Sequence, residues 1–151
     1  ETTGKYAYLK QLNGSETNTY TDTGLTAGNK YRYRVRAYVK VNNVNQYGKY
    51  STKYKTSTRL KKAKLTAKAG TRKASLSWKT INGASGYRIY MSTDGKTFTK
   101  IKDVKGGSKK SYTKTGLTKN KTYYFKVRAY RTVVGVNTYG SYSKVKTAKA
   151  K

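Results

Sequence analysis

The chain has 151 residues, 35 Lys plus Arg against 5 Asp plus Glu, a formal charge of +30, and no His, Cys or Pro. Without His or Cys there is no imidazole base, thiolate nucleophile, zinc finger or disulfide framework. The acids Glu1, Glu16, Asp22, Asp94 and Asp103 are too dispersed to build an oxygen cage for calcium or magnesium, so neither a metal nor a cofactor is expected.

No apolar run approaches the roughly 18 residues that suggest a membrane span, and the chain reads as soluble. The first residue is Glu, with no charged-then-apolar leader ahead of the first structured segment, so the chain reads as a fragment of something longer. Seventeen tyrosines with much Thr, Ser and Val favour strands, and no 3.6-residue apolar period is sustained. The predicted class is all-β.

Taken in chain order, the first clear element runs from Tyr31 to Tyr38. Tyr31, Tyr33, Val35 and Ala37 are expected inward, with Arg32, Arg34, Arg36 and Tyr38 outward. Strands follow near Leu65, from Lys73 to Lys79 and from Tyr87 to Met91. In the second, Ala74, Leu76 and Trp78 alternate with Lys and Ser; in the third, Tyr87, Ile89 and Met91 alternate with Arg88 and Tyr90. Further strands are predicted from Phe98 to Ile101, around Tyr112, from Tyr123 to Tyr130 and from Tyr139 to Val145, separated by Gly, Asn, Asp or Ser turns. In the longest, Tyr123, Phe125, Val127 and Ala129 face the core while Tyr124, Lys126, Arg128 and Tyr130 face out. A one-residue slip would bury the cations, so register is strongly fixed.

The chain also repeats itself. YTDTGLTAGNKYRYRVRAY from Tyr20 matches YTKTGLTKNKTYYFKVRAY from Tyr112 at an offset of 92 residues, and YGKYS from Tyr47 matches YGSYS from Tyr139. Thr-Thr-Gly-Lys at 2–5 matches Thr-Asp-Gly-Lys at 93–96 after a one-residue slip. Residues 60–91, with two clear strands, have no counterpart in the first copy. The chain therefore divides into an incomplete module, 1–59, and a complete one, 60–151, and seven short strands in the latter suggest a two-sheet sandwich.

ASLSW at 74–78, GYRIYMST at 86–93, TGLT at 115–118 and YYFKVRAY at 123–130 followed by YGSYS together resemble the fibronectin type III module. The version resembled is the one found in tandem on bacterial surface proteins and beside the catalytic domains of secreted polysaccharide-degrading enzymes. The resemblance implies an immunoglobulin-like β-sandwich with Trp78 in the core. It also implies a tyrosine corner of Leu117 and Tyr123, repeated as Leu25 and Tyr31 in the first copy. The chain departs from the family in lacking the prolines common at the junction and before the second strand, reading Leu60-Lys61-Lys62-Ala63 and Ala69-Gly70-Thr71 there. The adhesive Arg-Gly-Asp tripeptide is absent; the corresponding loops read VKVNNVNQ and TVVGVNT.

Asp94-Gly95 and Gly106-Gly107 precede no helix and are read as turns, and Asp94 with Asp103 has no third polar partner, so no catalytic residue is proposed. The candidate polymer-binding surface is the outward group Arg88, Tyr90, Tyr124, Lys126, Arg128 and Tyr130, since tyrosines stack on sugars or bases and Arg grips phosphate or carboxylate. The same residues also suit ordinary cross-strand pairs and Tyr–Arg stacks that stabilise the sheet. The charge itself attracts polyanions but equally solubilises a small core and blocks sheet edges.

The leading expectation is a non-catalytic, extracellular spacer in a tandem array on a bacterial surface, cell-wall-associated or secreted protein, partnered by other domains of a longer chain. The alternative is a binding module for anionic wall polymer or polysaccharide, with nucleic acid the weaker target because no base-reading motif is present. For residues 1–59 three outcomes are expected: a longer array of which this is a truncated part, which ranks first, strands supplied by a neighbouring chain in a fibre, which ranks second, and pairing of the half-module with its own twin.

Overall fold

The structure, a computed structural model, describes residues 5–14 and 18–151. Every regular element among them is a strand: β1 (Lys30–Tyr33), β2 (Tyr38–Val41), β3 (Val44–Tyr47), β4 (Tyr54–Ser57), β5 (Thr66–Gly70), β6 (Lys73–Ser77), β7 (Gly86–Ser92), β8 (Thr99–Lys105), β9 (Ser111–Thr115), β10 (Thr122–Val133), β11 (Val136–Tyr139) and β12 (Lys146–Lys149). Two compact units result, the first of residues 1–25 and 30–58 and the second of residues 26–29 and 59–151. The division falls between Thr58 and Arg59, and the stretch 26–29 groups with the second unit rather than the first. The Thr-Thr-Gly part of the match at 2–5, together with Glu1 and Glu16, lies outside the described residues.

The second unit is the two-sheet sandwich anticipated for an all-β chain. One sheet has the order β5-β6-β9, the other β11-β10-β7-β8 with β12 also paired to β10, all antiparallel. Alternation sets the faces: Lys73, Ser75 and Ser77 are exposed on β6 while Ala74 and Leu76 are buried, and on β10 Tyr123, Phe125, Val127 and Ala129 are buried. These meet Tyr87 and Ile89 of β7, both 0% exposed, and each fully buried large side chain contributes about 1.5–3 kcal/mol.

The polar atoms of Trp78, Tyr87 and Tyr123 in this core are paired. The Trp78 indole N–H donates to the Lys109 carbonyl at 3.1 Å, and its ring lies 5.1 Å from that of Tyr87. The Tyr87 hydroxyl accepts from the Ile81 amide at 2.8 Å and donates to the Gly107 carbonyl at 3.1 Å. At the β9–β10 corner Leu117 and Tyr123 are buried, and the Tyr123 oxygen accepts the Thr118 amide at 3.0 Å, which holds the phenol below its usual pKa.

Three strand assignments in the second unit need correction: β8 covers Thr99–Lys105 rather than the expected Phe98 to Ile101, and the other two concern β10 and the chain that follows it. β10 runs through Val133, past the expected end at Tyr130, and the strand expected from Tyr139 to Val145 is instead two strands flanking an irregular stretch. The register explains the break: Tyr130 pairs Tyr139 and Phe125 pairs Lys146, so four residues of β10 face six residues, 140–145. The two extra residues bulge, and the ladder there is kept by Gly140 N–H to Ala129 O at 2.9 Å and Ser143 N–H to Val127 O at 2.7 Å.

The first unit repeats this frame. Tyr31↔Thr56 and Tyr38↔Tyr47 correspond, at the 92-residue offset, to Tyr123↔Ala148 and Tyr130↔Tyr139. Gly48 N–H to Ala37 O at 3.0 Å and Ser51 N–H to Val35 O at 2.7 Å reproduce the bulge bonds.

Yet the strand expected to be continuous from Tyr31 to Tyr38 is interrupted between Tyr33 and Tyr38, because among the described residues no strand pairs with its other edge as β7 does with β10. Nor is its inward row a core: Tyr31 and Tyr33 are half-buried, Ala37 is exposed and Val35 is 70% exposed. Leu25 is half-buried, and no described residue of this unit is fully buried. The Tyr33 hydroxyl donates to Asp22 at 2.7 Å, and desolvation together with that carboxylate pushes the phenol up to about 12.

Candidate functional site: an aromatic and cationic ladder

The outward face of β7 and β10 collects most of the candidate residues, and the bulge at 140–145 determines how. Tyr139 and Tyr142 are three positions apart and would point to opposite faces of a regular strand. With two extra residues in the turn of chain between them and β12, both rings lie over the outward side chains of β10.

Rings and cations then alternate. The Lys126 ammonium sits 4.1 Å from the Phe98 ring centroid and 4.3 Å from that of Tyr142. The Arg128 guanidinium lies 4.7 Å from Tyr142 and 4.0 Å from Tyr139, and the Arg88 guanidinium lies 4.8 Å from Tyr139. Tyr90 braces the middle: its ring meets Tyr142 edge-on at 5.2 Å, and its hydroxyl accepts from Arg128 Nη2 at 2.7 Å. Arg88 is also held by Asp103 through Nε at 2.6 Å and Nη2 at 2.9 Å, a forked pair that keeps the Asp103 carboxyl below its usual range. Hydrogen bonding to Tyr90 and burial raise the Tyr142 phenol.

Thus Arg88, Tyr90, Lys126 and Arg128 come together, while two other candidates do not join them. Tyr130 is expected outward and accessible, but it is 6% exposed: it packs against Tyr139, with ring centroids 6.1 Å apart, and over Gly86, whose lack of a side chain admits the phenol. Tyr124 is half-buried at the opposite end of the strand, its ring against Gly95 in the β7–β8 turn. That turn is fixed by Asp94, which accepts from the Lys96 and Thr97 amides at 2.8 and 2.9 Å and from Ser92 Oγ, bonds that lower its pKa to about 2.

Phe98, Tyr139, Tyr142 and Asp103 belong to the site but were not selected from sequence. The signal for two of them was present, since both copies carry Tyr-Gly-Xaa-Tyr-Ser at the same offset.

The ladder exists in the first unit as well. Arg34 lies 4.2 Å from Tyr6 and 3.8 Å from Tyr50; Arg36 lies 4.7 Å from Tyr50 and 3.8 Å from Tyr47. Each rung is the 92-residue counterpart of one in the second unit, with Tyr6 for Phe98 and Arg34 for Lys126. Chemically the arrangement stacks and braces. Its ring faces are taken by the chain's own cations, and it holds no nucleophile paired with a base. Among the described residues no group of three potential ligands converges on a metal position.

A separate shallow cleft of about 650 Å³ lies at the end of the second unit formed by the β5–β6 turn, the 119–120 turn and residues 149–151. Arg72, Lys119, Lys149 and Lys151 line it, with no Asp or Glu side chain. Arg72 is anchored through its backbone, donating to Lys151 O at 2.8 Å and accepting from the Leu117 amide at 3.0 Å.

No curated protein matches the chain in sequence. Among solved structures, a β-1,2-glucanase from Parabacteroides distasonis is 22% identical with a TM-score of 0.55, over 72% of this chain and 16% of that one. The FN1–FN3 domains of chicken CNTN1 are 17% identical with a TM-score of 0.52, over 87% of this chain and 46% of that one. These likenesses establish the fold, and the chain spans about a sixth of the glucanase and under half of the CNTN1 fragment. A Fn3-like protein from Clostridium thermocellum is 25% identical with a TM-score of 0.48, over 61% of this chain and 92% of that one. Residues 61–145, more than half of the chain, match the family model described as the fibronectin type III domain, and the protein belongs to that family.

Proposed function

We infer that this chain is a non-catalytic extracellular spacer, a structural element of a tandem array on a bacterial surface, cell-wall-associated or secreted protein, suited to fibrous or rod-like assemblies. Membership of the fibronectin type III family supports a structural or binding module. The observation that carries the spacer reading is that all four ring–cation contacts of the first unit recur at the same offset in the second, because a face consumed in stacking on itself stiffens a module and offers little to a ligand. The purified chain is expected to give no product with polysaccharide, ester or peptide substrates. Turnover that persists through repurification overturns the reading.

A second reading, binding of an anionic wall polymer or acidic polysaccharide, is favoured by the cleft of four cationic side chains without an Asp or Glu among them. The ladder cations suit it less, being engaged by rings and by Asp103. Such binding weakens steeply between about 50 and 300 mM salt through counterion release. Arg72→Ala with Lys119→Ala is expected to weaken it more than the paired removal of Lys68 and Lys79, exposed lysines outside the cleft. Equal losses from both pairs would leave only diffuse attraction.

A further inference from the structure

One tyrosine hydroxyl is satisfied in the first copy and open in the second. The Tyr38 hydroxyl donates to Asn13 Oδ1 at 2.6 Å and accepts from Gln11 Nε2 at 3.1 Å. At the 92-residue offset Tyr38, Asn13 and Gln11 become Tyr130, Lys105 and Asp103. The second unit thus has an ammonium and a carboxylate where the first has two amides, and neither reaches the phenol. Asp103 is turned instead to Arg88 by the forked pair, with Lys100 Nζ 3.7 Å away. Among the described residues none hydrogen-bonds the Tyr130 hydroxyl, although the residue is only 6% exposed, and buried polar groups are ordinarily paired.

Tyr130 lines a second cleft of about 400 Å³ together with Ser85, Asp103, Lys105, Thr132 and Asn137. It lies at the opposite end of β10 from the cationic cleft. Its floor follows from the register: Gly86 pairs Lys105 on one side and Tyr130 on the other, and with no side chain on Gly86 the phenol lies across it. The rim is fixed by backbone, with Ser85 N–H donating to Tyr130 O at 2.8 Å and Gly106 N–H to Ser85 O at 2.9 Å.

The hydrogen-bonding groups of this cleft define what it can hold. Ser85 Oγ accepts the Thr132 amide at 3.0 Å and keeps its own proton to give. Asn137 Oδ1 accepts the Thr132 hydroxyl at 2.6 Å, which leaves its Nδ2 as a donor. Burial, and then the Asp103 charge, raise the Tyr130 phenol, so it is protonated at neutral pH and both donates and accepts. Asp103 only accepts, and the Arg88 fork takes one bond at each oxygen, leaving lone pairs to spare. A bound anion would meet the Asp103 carboxylate, and a bound cation would meet Lys105, with Lys100 and Arg88 behind Asp103. Neighbouring neutral groups that each donate and accept suit both sides, and vicinal hydroxyls of a sugar ring are such groups.

We propose that this cleft binds a neutral hexose unit of a glycan, one hydroxyl donating to Asp103 and accepting from Tyr130, its neighbour accepting from Asn137 or Lys105. The volume falls within the range of small-molecule sites. The inference goes beyond the spacer reading and depends on neither that reading nor the cationic cleft.

The experiment titrates the full chain with the methyl glycosides of glucose, galactose, mannose and N-acetylglucosamine and follows backbone amide shifts by NMR. At least one is expected to give saturable shifts at Gly86, Lys105 and Thr132, half-saturating on the order of 1 mM, with Arg72 and Asn120 in the cationic cleft unmoved. Tyr130→Phe keeps the ring against Tyr139 and removes the open hydroxyl; it is expected to weaken binding about tenfold with Tm unchanged or raised, a split that a merely structural phenol would not give. Asn137→Ala, on the exposed hairpin, tests the other wall without touching a buried group and is expected to weaken binding about threefold or more. Glucuronate and protonated glucosamine are expected to bind about tenfold more weakly than the glucose glycoside. Affinity that holds between about 50 and 300 mM salt separates this site from counterion-driven binding of an anionic polymer. Absence of saturable shifts with every neutral glycoside overturns the proposal, as does unchanged affinity in both variants. A charged sugar that binds as tightly as its neutral parent also overturns it, by making the cleft an ion site.

Discussion

Ser143 and Val127 hold each other twice: the Ser143 amide donates to the Val127 carbonyl at 2.7 Å, and the Val127 amide donates to Ser143 Oγ at 3.0 Å. Because the bulge carries 140–145 out of ordinary register, the serine hydroxyl replaces the carbonyl that a regular strand would offer. Ser143 is 6% exposed and Val127 0%, so Ser143→Ala leaves a buried donor unpaired. The expected cost is about 1–3 kcal/mol, read as a fall in the denaturant midpoint of the second unit with unchanged slope. Ser51→Ala, at the exposed counterpart, is expected to cost much less.

The β10–β11 hairpin turns through Val134 at φ 47°, a left-handed conformation that a β-branched residue adopts under strain, and its side chain is 85% exposed. The first unit makes the equivalent turn with Asn42 at φ 48°, a residue that tolerates this region. Val134→Asn is therefore expected to stabilise the second unit by about 1 kcal/mol, seen as a rise in Tm of roughly 4–8 °C. A fall in Tm would show that the valine side chain makes a contact worth more than the strain.

Acid should weaken the second unit through Asp103 and Asp94. Both carboxyls titrate below their usual value in the folded chain, Asp103 through the Arg88 fork and Asp94 through Ser92 and the turn amides. A depressed folded pKa contributes stability that is present above the unfolded value near 3.9 and is lost as the pH falls through the folded value. Denaturant midpoints are thus expected to be flat from about pH 7 to 5 and to fall toward about pH 2. Asp103→Asn should remove part of that slope and lower the midpoint at neutral pH, because Arg88 keeps its place beside Tyr139 without its anion.

Strand faces were legible wherever alternation met a full complement of neighbours. Phe125, Val127, Tyr87 and Ile89 are inward as their spacing requires. Sequence spacing failed where a neighbour decides the outcome. Tyr130 has an outward parity, but Gly86 across the strand leaves room for its ring to be covered, and parity carries no information about that. Tyr139 and Tyr142 have the wrong spacing for one face, and only the two-residue bulge reconciles them. The stretch from Tyr33 to Tyr38 has the same pattern as β10 yet is not one strand, because pattern supplies a propensity and the ladder supplies the partner.

The last expectation concerns the ladder's central ring. Tyr142 lies between two cations, 4.3 Å from Lys126 and 4.7 Å from Arg128, and meets Tyr90 edge-on. Truncation to alanine removes both ring–cation contacts and the aromatic pair, each worth about 0.5–1 kcal/mol at a partly exposed site, so Tyr142→Ala should cost roughly 1–3 kcal/mol. Tyr142→Phe keeps the ring and loses only the hydroxyl, and should cost about 0.5 kcal/mol or less. A ring that stacks is distinguished in this way from one that acts through its phenol. If phenylalanine costs as much as alanine, the hydrogen bond toward Tyr90 holds the face together and the stacking is incidental. A double-mutant cycle with Arg128→Met completes the measurement: coupling of about 0.5 kcal/mol or more is expected if the guanidinium and the ring stabilise each other directly, and none if each merely packs on the strand beneath it.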